Sequence, residues 1–152
     1  DAVICVASGD SPKLACKLFC KKVKEENIDV SQFFFIGLDE WVGLSPEIVG
    51  SCHNDFQKRL IKPLGLVASQ YHLFDAMASG LQHECATMDK IIEDKGGIDL
   101  MIVGIGMNGH IGFNEPGCYG VYRNSFSANF LCQCFCCSNN ACFCCRIICL
   151  SR

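Results

Sequence analysis

Ala2-Val3-Ile4-Cys5-Val6-Ala7 runs without a charged side chain into Ser8-Gly9-Asp10-Ser11-Pro12, and apolar residues then recur with helical spacing at Leu14, Leu18 and Phe19. The polar side of that helix carries Lys13, Lys17, Lys21 and Lys24. A short run that is apolar at every position suits a strand buried on both faces, and such strands belong to parallel sheets covered by helices. The opening segment therefore reads as strand, turn, helix.

The same unit recurs along the chain. Residues 33–38 (FFFIGL) form a second apolar run, ending at Asp39-Glu40. Ser51 is placed as the N-cap of a helix through Phe56 and Leu60 that Pro63 should end. Residues 70–74 are a weaker strand candidate. Residues 81–95 read as a helix with Cys85, Met88 and Ile92 on one face, stopped by Gly96-Gly97. Residues 98–103 (IDLMIV) are the last buried strand, broken by Gly104 and Gly106. Strands alternating with helices define an α/β fold: an open, doubly wound, mostly parallel sheet, Rossmann-like and three-layered. No internal repeat interrupts the pattern.

Composition sets the limits. A chain of 152 residues, 50% apolar and 19% charged, can bury the core of one domain. The net charge of -3 comes without a basic stretch, which argues against nucleic acid and anionic membrane as partners. No apolar run approaches the ~20 residues of a membrane-spanning helix. The chain opens on Asp1 directly into a strand-like run, without the pattern of a signal peptide. That opening suggests a true N-terminus further upstream, and the absence of targeting signals leaves the cytoplasm as the default location.

Of 14 cysteines, Cys5, Cys16, Cys20, Cys52 and Cys85 stand singly among apolar neighbours and read as reduced thiols. The rest fall beyond residue 117. This divides the chain into a domain over 1–122 and a Cys-rich tail over 123–152. Residues 125–152 contain no Asp, Glu, Lys or Gly. Either the tail is a metal-thiolate module, or it is a thymine-rich stretch translated out of frame, since Phe, Cys, Leu and Ser share codons beginning with thymine. The second reading is preferred because the cysteine spacing fits no familiar zinc pattern.

Ligands of open α/β sheets bind beyond the carboxyl ends of the strands. Three polar, Gly-bearing segments fall there: 8–11, 39–43 and 104–115. In the first, helix-start N–H groups and two hydroxyls suit a phosphate, although an ordinary capped turn reads the same way. Asp10 would repel a phosphate unless its side chain turned outward. In the second, Asp39 at a pocket mouth suits a base of raised pKa; helix capping or a solvated pair is the alternative for Asp39-Glu40. In the third, four glycines surround His110, with Glu115 five residues on. An imidazole there can exchange protons near neutral pH, with the carboxylate fixing its tautomer. The four histidines show no metal-ligand spacing, so no metal and no cofactor is expected.

Residues 109–116 (GHIGFNEP), supported by 38–44 (LDEWVGL) and the SGDSP turn, resemble the glucosamine-6-phosphate deaminase/isomerase family. The similarity spans about residues 3–117. The 6-phosphogluconolactonases are similar in the Ser-Gly turn and Gly-His loop, but lack the Asn-Glu-Pro that follows here. The resemblance implies that Asp39 moves a proton between C2 and C1 of the opened sugar, while His110 and Glu115 assist ring opening. It implies that Ser8, Gly9, Ser11 and Gly109 bind substrate, a small-molecule sugar phosphate. The implied reaction converts glucosamine 6-phosphate and water to fructose 6-phosphate and ammonia, with homo-oligomers compatible. Where the family commonly has Asp two residues before the His, this chain has Asn108, which can orient His110 but not neutralise it. That departure keeps galactosamine 6-phosphate open as the substrate. A lactonase-type esterase and an inactive remnant are the further alternatives. The family's C-terminal phosphate-clamping groups and lid are not recognisable here.

Overall fold

The computed structural model describes residues 2–107, 109 and 111. The proposed boundary at residue 122 and the tail 123–152 lie outside the described residues.

Four strands form one sheet: β1 (Ala2–Val6), β2 (Phe33–Gly37), β3 (Tyr71–His72) and β4 (Leu100–Ile102). They lie in the order β3-β2-β1-β4, and each neighbouring pair is parallel. Chain order therefore steps outward from β1 to β3 and then jumps back across β1 to β4. Such a reversal leaves a crevice between the diverging connections, the position where open α/β sheets bind ligands.

The helices sort onto both faces, because successive residues of β1 point to opposite sides. Val3 and Cys5 pack with Ile36, Met88 and Ile92, so α4 (Leu81–Asp94) covers that face. Ile4 and Val6 pack with Phe35, Cys16, Cys20, Phe56 and Leu60 on the other. That second layer is α1 (Lys13–Glu25) together with a helical stretch built from α2 (Cys52–Phe56), a π-helical turn (Gln57–Ile61) and α3 (Lys62–Leu64). Phe35 is 1% exposed and meets Phe19 and Phe33 edge-on, with ring centroids 6.3 and 6.4 Å away. The α/β, doubly wound, three-layer reading is borne out.

Two local expectations need correction. The helix after Pro12 forms, but Leu14 and Leu18 are 64% and 54% exposed, and Cys16, Cys20 and Val23 face the core instead. The cysteines here do the work of small apolar side chains. The helical stretch from Cys52 is not ended by Pro63, which falls in the first turn of α3. A missing N–H costs little there. The end comes at Gly65, whose φ of 67° closes the last turn in a left-handed cap that suits glycine. The bland reading of the isolated cysteines holds: Cys5, Cys16, Cys20 and Cys52 are buried free thiols, and Cys85 is half-buried.

Candidate active site

Beyond the carboxyl ends of β1 and β4 lies a half-open cavity of about 460 Å3. The 8–11 turn forms one wall, Asp39 and Trp41 another, and Gly104 and Gly106 a third. Three segments separated by some thirty and sixty positions in the chain thus meet because their strands are neighbours in the sheet. Of the residues singled out from the sequence, Ser8, Gly9, Ser11 and Asp39 all line this cavity.

Gly104 explains how closely the walls approach. A Cβ on Gly104 would sit 2.3 Å from the Ser11 Cβ and 2.6 Å from its Oγ, so only a hydrogen fits between β4 and the turn. Gly104→Ala should cost about 1–3 kcal/mol in urea denaturation, through the displacement that such overpacking forces. Asp10 also lines the cavity. Its side chain is 97% exposed, 3.9 Å from the Lys13 ammonium.

Asp39 follows β2 directly. Burial raises its pKa first of all, pushing it up to about 6; the neighbouring Glu40 adds to this, while a hydrogen bond from Cys52 opposes it. The Cys52 thiol lies 3.7 Å from Asp39 Oδ1, and the Ser8 hydroxyl donates to Cys52 Sγ at 2.9 Å.

The adjacent acid does different work. Glu40 is 3% exposed, and its carboxylate accepts backbone N–H bonds from Trp41 (2.8 Å), Cys52 (2.9 Å) and His53 (2.7 Å). It ties the start of α2 to the end of β2. Ser51 completes the cap by accepting from the Asn54 N–H at 3.0 Å, as its position predicts. Glu40 thus takes the helix-capping alternative, while Asp39 lines the cavity.

A fourth wall comes from the helical stretch, which the sequence reading did not include. Asn54, Asp55, Lys58 and Arg59 line the cavity from α2 and the π-helical turn. Arg59 pairs with Asp55 at 2.7 Å and donates to the Gly9 carbonyl, bracing the turn. Burial holds the Asp55 carboxyl above its ordinary pKa although Arg59 pulls it down. The spacing was a usable signal. With Ser51 as N-cap, residues 54/58 and 55/59 are i,i+4 pairs on the helix side away from Phe56 and Leu60.

After β4 the chain folds back on itself. Ile105 bridges Ile111 antiparallel, and the Gly109 N–H donates to the Gly106 carbonyl at 2.9 Å. Gly109 is exposed and is not among the cavity-lining residues. Asn108, His110 and Glu115 lie outside the described residues.

A parallel β3-β2-β1-β4 sheet with its polar turns gathered past the strand ends is a Rossmann-like arrangement that two solved structures share. A monomeric glucosamine-6-phosphate deaminase of the NagB superfamily superposes with a TM-score of 0.72 at 32% identity, covering 77% of this chain and 48% of that one. A 6-phosphogluconolactonase from Thermotoga maritima superposes with a TM-score of 0.64 at 18% identity, over 74% and 50% of the two chains, and shares the fold alone. No family model matches the chain. Among curated proteins, AgaI of Escherichia coli (strain K12), which carries a provisional deaminase name, is 40% identical over 117 residues, covering 77% of this chain and 46% of the relative. The glucosamine-6-phosphate deaminase of Shouchella clausii (strain KSM-K16) is 38% identical over 112 residues, covering 74% and 45%. The resemblance read from GHIGFNEP and LDEWVGL is thus borne out: across about three quarters of its length the chain is homologous to the glucosamine-6-phosphate deaminases. It spans about half the length of the curated relatives it matches.

Proposed function

We propose that this chain carries the proton-transfer site of a glucosamine-6-phosphate deaminase/isomerase, releasing fructose 6-phosphate and ammonia from glucosamine 6-phosphate and water. The observation that carries the reading is Asp39: a carboxylate at the end of β2, inside the cavity, with its pKa pushed up to about 6 by burial. An ordinary carboxylate is too weak a base to take a carbon-bound proton readily. One raised toward the working pH remains ionised at pH 7 to 8 and is a stronger base.

The substrate phosphate rests on the 8–11 turn at the start of α1, with Lys58 supplying positive charge from the opposite wall. His110 moves a proton at the ring oxygen, with Asn108 orienting its ring and Glu115 supporting it. With the aldose open, Asp39 takes the C2 hydrogen as a proton and returns it to C1. The C1 aldehyde becomes an alcohol and the C2 amine an imine. Water then adds to the imine and ammonia leaves, giving the ketose. No electrons are exchanged with a redox group. The partner is a small-molecule sugar phosphate and the expected location is the cytoplasm; among the described residues no helix is long and apolar enough to cross a membrane.

Because Asp39 must be ionised to act, kcat/KM should fall as pH drops through about 6 and level off above it. A pH-rate profile measures this directly. The substrate is tested by offering the folded chain glucosamine 6-phosphate, galactosamine 6-phosphate and 6-phosphogluconolactone side by side. Ammonia and a ketose phosphate from glucosamine 6-phosphate support the reading. Preference for the galacto epimer moves the assignment to that sugar, as Asn108 allows. Lactone hydrolysis without ammonia release, or stabilisation by sugar phosphate without turnover of any of the three, overturns it.

A further inference from the structure

We propose that Cys52 is a positioning residue for Asp39, its thiol donating to the carboxylate and itself held by the Ser8 hydroxyl. This rests on the reading of Asp39 as the base.

Three contacts fix the thiol. The Cys52 backbone N–H is bound by Glu40 at 2.9 Å, which sets the first residue of α2. Its Sγ accepts from Ser8 Oγ at 2.9 Å, which sets the side chain. Sγ then lies 3.7 Å from Asp39 Oδ1, within reach of a sulfur hydrogen bond. Since the Ser8 hydroxyl donates into the sulfur, the thiol's own hydrogen is left for the carboxylate. Each bond polarises the next in a low-dielectric setting.

The chemistry of the thiol suits a donor and no other role. Cys52 is 8% exposed, and burial together with the Asp39 charge drives its pKa far above the ordinary thiol value. It stays a neutral S–H at every working pH, so it is neither a nucleophile nor a thiolate. The other titratable groups that bear on Asp39 are Glu40 in its own loop and Cys5 on β1, which is buried and also held protonated. Asp55, Lys58 and Arg59 share the cavity from the helical wall. Among these described groups Cys52 is the one that donates a hydrogen bond to the carboxylate. It aims the carboxylate and favours its ionised form. The same chain of contacts ties the base to Ser8, a residue of the phosphate-binding turn.

The test is a carbon-detected NMR titration of the Asp39 carboxyl in the full chain, in the parent protein and in Cys52→Ala, each first shown to be folded by its thermal transition. Loss of the donor should raise the Asp39 midpoint by about one pH unit. An unchanged or lowered midpoint overturns the proposal. Should Cys52→Ala not fold, the parent protein supplies the reading itself. Its Raman S–H band should gain a component shifted to lower frequency as Asp39 ionises, and this change should vanish in Asp39→Asn. A thiol band that stays constant through the titration contradicts the proposal. In an active chain the acid limb of the pH-rate profile should move with the NMR midpoint. Neither spectroscopic readout requires turnover. A shifted midpoint in an inactive chain would therefore sink the proposed function alone, and an unshifted one in an active chain would sink this role alone.

Discussion

Asp39→Asn should abolish turnover and, at pH 8, make the protein more stable. The two effects have one cause. Folding buries Asp39 and raises its pKa to about 6, above the ordinary value of 3.8. The folded state then binds more protons than the unfolded state between those two values. The stability Asp39 contributes is fully present below about pH 4 and is lost as pH rises through 6. Ionised at pH 8, it opposes folding by about 2 kcal/mol, the shift being worth some 1.4 kcal/mol per unit and discounted for its partial exposure. Asparagine has no charge to desolvate and can still accept from Cys52. Urea denaturation at pH 8 should show the variant ahead by that margin, and the margin should shrink toward zero near pH 4. Ammonia release should fall below detection, since a neutral amide cannot take the C2 proton. Such a trade of stability for activity is characteristic of a base kept in a desolvated pocket.

Glu40→Ala should be the most damaging substitution in this part of the molecule. The Glu40 carboxylate accepts N–H bonds from Trp41, Cys52 and His53 while 3% exposed. Truncation leaves these donors without their acceptor beside an empty volume, and a lost partner of a buried donor costs about 1–3 kcal/mol. The total expected is about 3–5 kcal/mol, enough to unfold a marginal domain. Glu40→Gln should lie between. Its oxygen can keep the Trp41 and Cys52 bonds, but its amide NH2 would face the His53 N–H, donor against donor. Equilibrium denaturation of the three proteins should rank them Glu, Gln, Ala. A near-neutral Glu40→Ala would mean that the start of α2 is held by something other than this carboxylate.

How much of this was written in the sequence depends on which physical force acted at each place. The strands were legible because burial on both faces leaves an uninterrupted apolar run, as in AVICV and FFFIG, that few alternatives explain. The weak third strand was legible only as a candidate, since Tyr71 and His72 are half-buried at the sheet edge. The buried face of α1 was misjudged because Leu14 and Leu18 are the larger apolar side chains, yet the small thiols of Cys16 and Cys20 are what fit against β1 and β2. Helix ends depend on single backbone dihedrals, so the stop at Gly65 rather than Pro63 lay beyond pattern reading.

The site divides along similar lines. Ser8, Gly9, Ser11 and Asp39 could be named because strand ends in this fold point to one crevice. Splitting Asp39 from Glu40 could not be done from sequence. The two acids are adjacent, and only the third dimension shows one facing the cavity and the other facing a helix start. Cys52, Lys58 and Arg59 were passed over because their relation to Asp39 is made by the fold-back of α2, thirteen residues and more downstream.

On the proposed mechanism the carboxylate after β2 removes the C2 proton of an amino-sugar phosphate. Proton NMR of glucosamine 6-phosphate incubated with the folded chain, alongside Asp39→Asn, tests it most directly. The C2 hydrogen signal should disappear in step with the appearance of fructose 6-phosphate and ammonia, and the Asp39→Asn sample should stay unchanged. Ammonia release with the C2 hydrogen retained, equal loss of that signal in Asp39→Asn, or an unaltered spectrum from folded parent protein would contradict it.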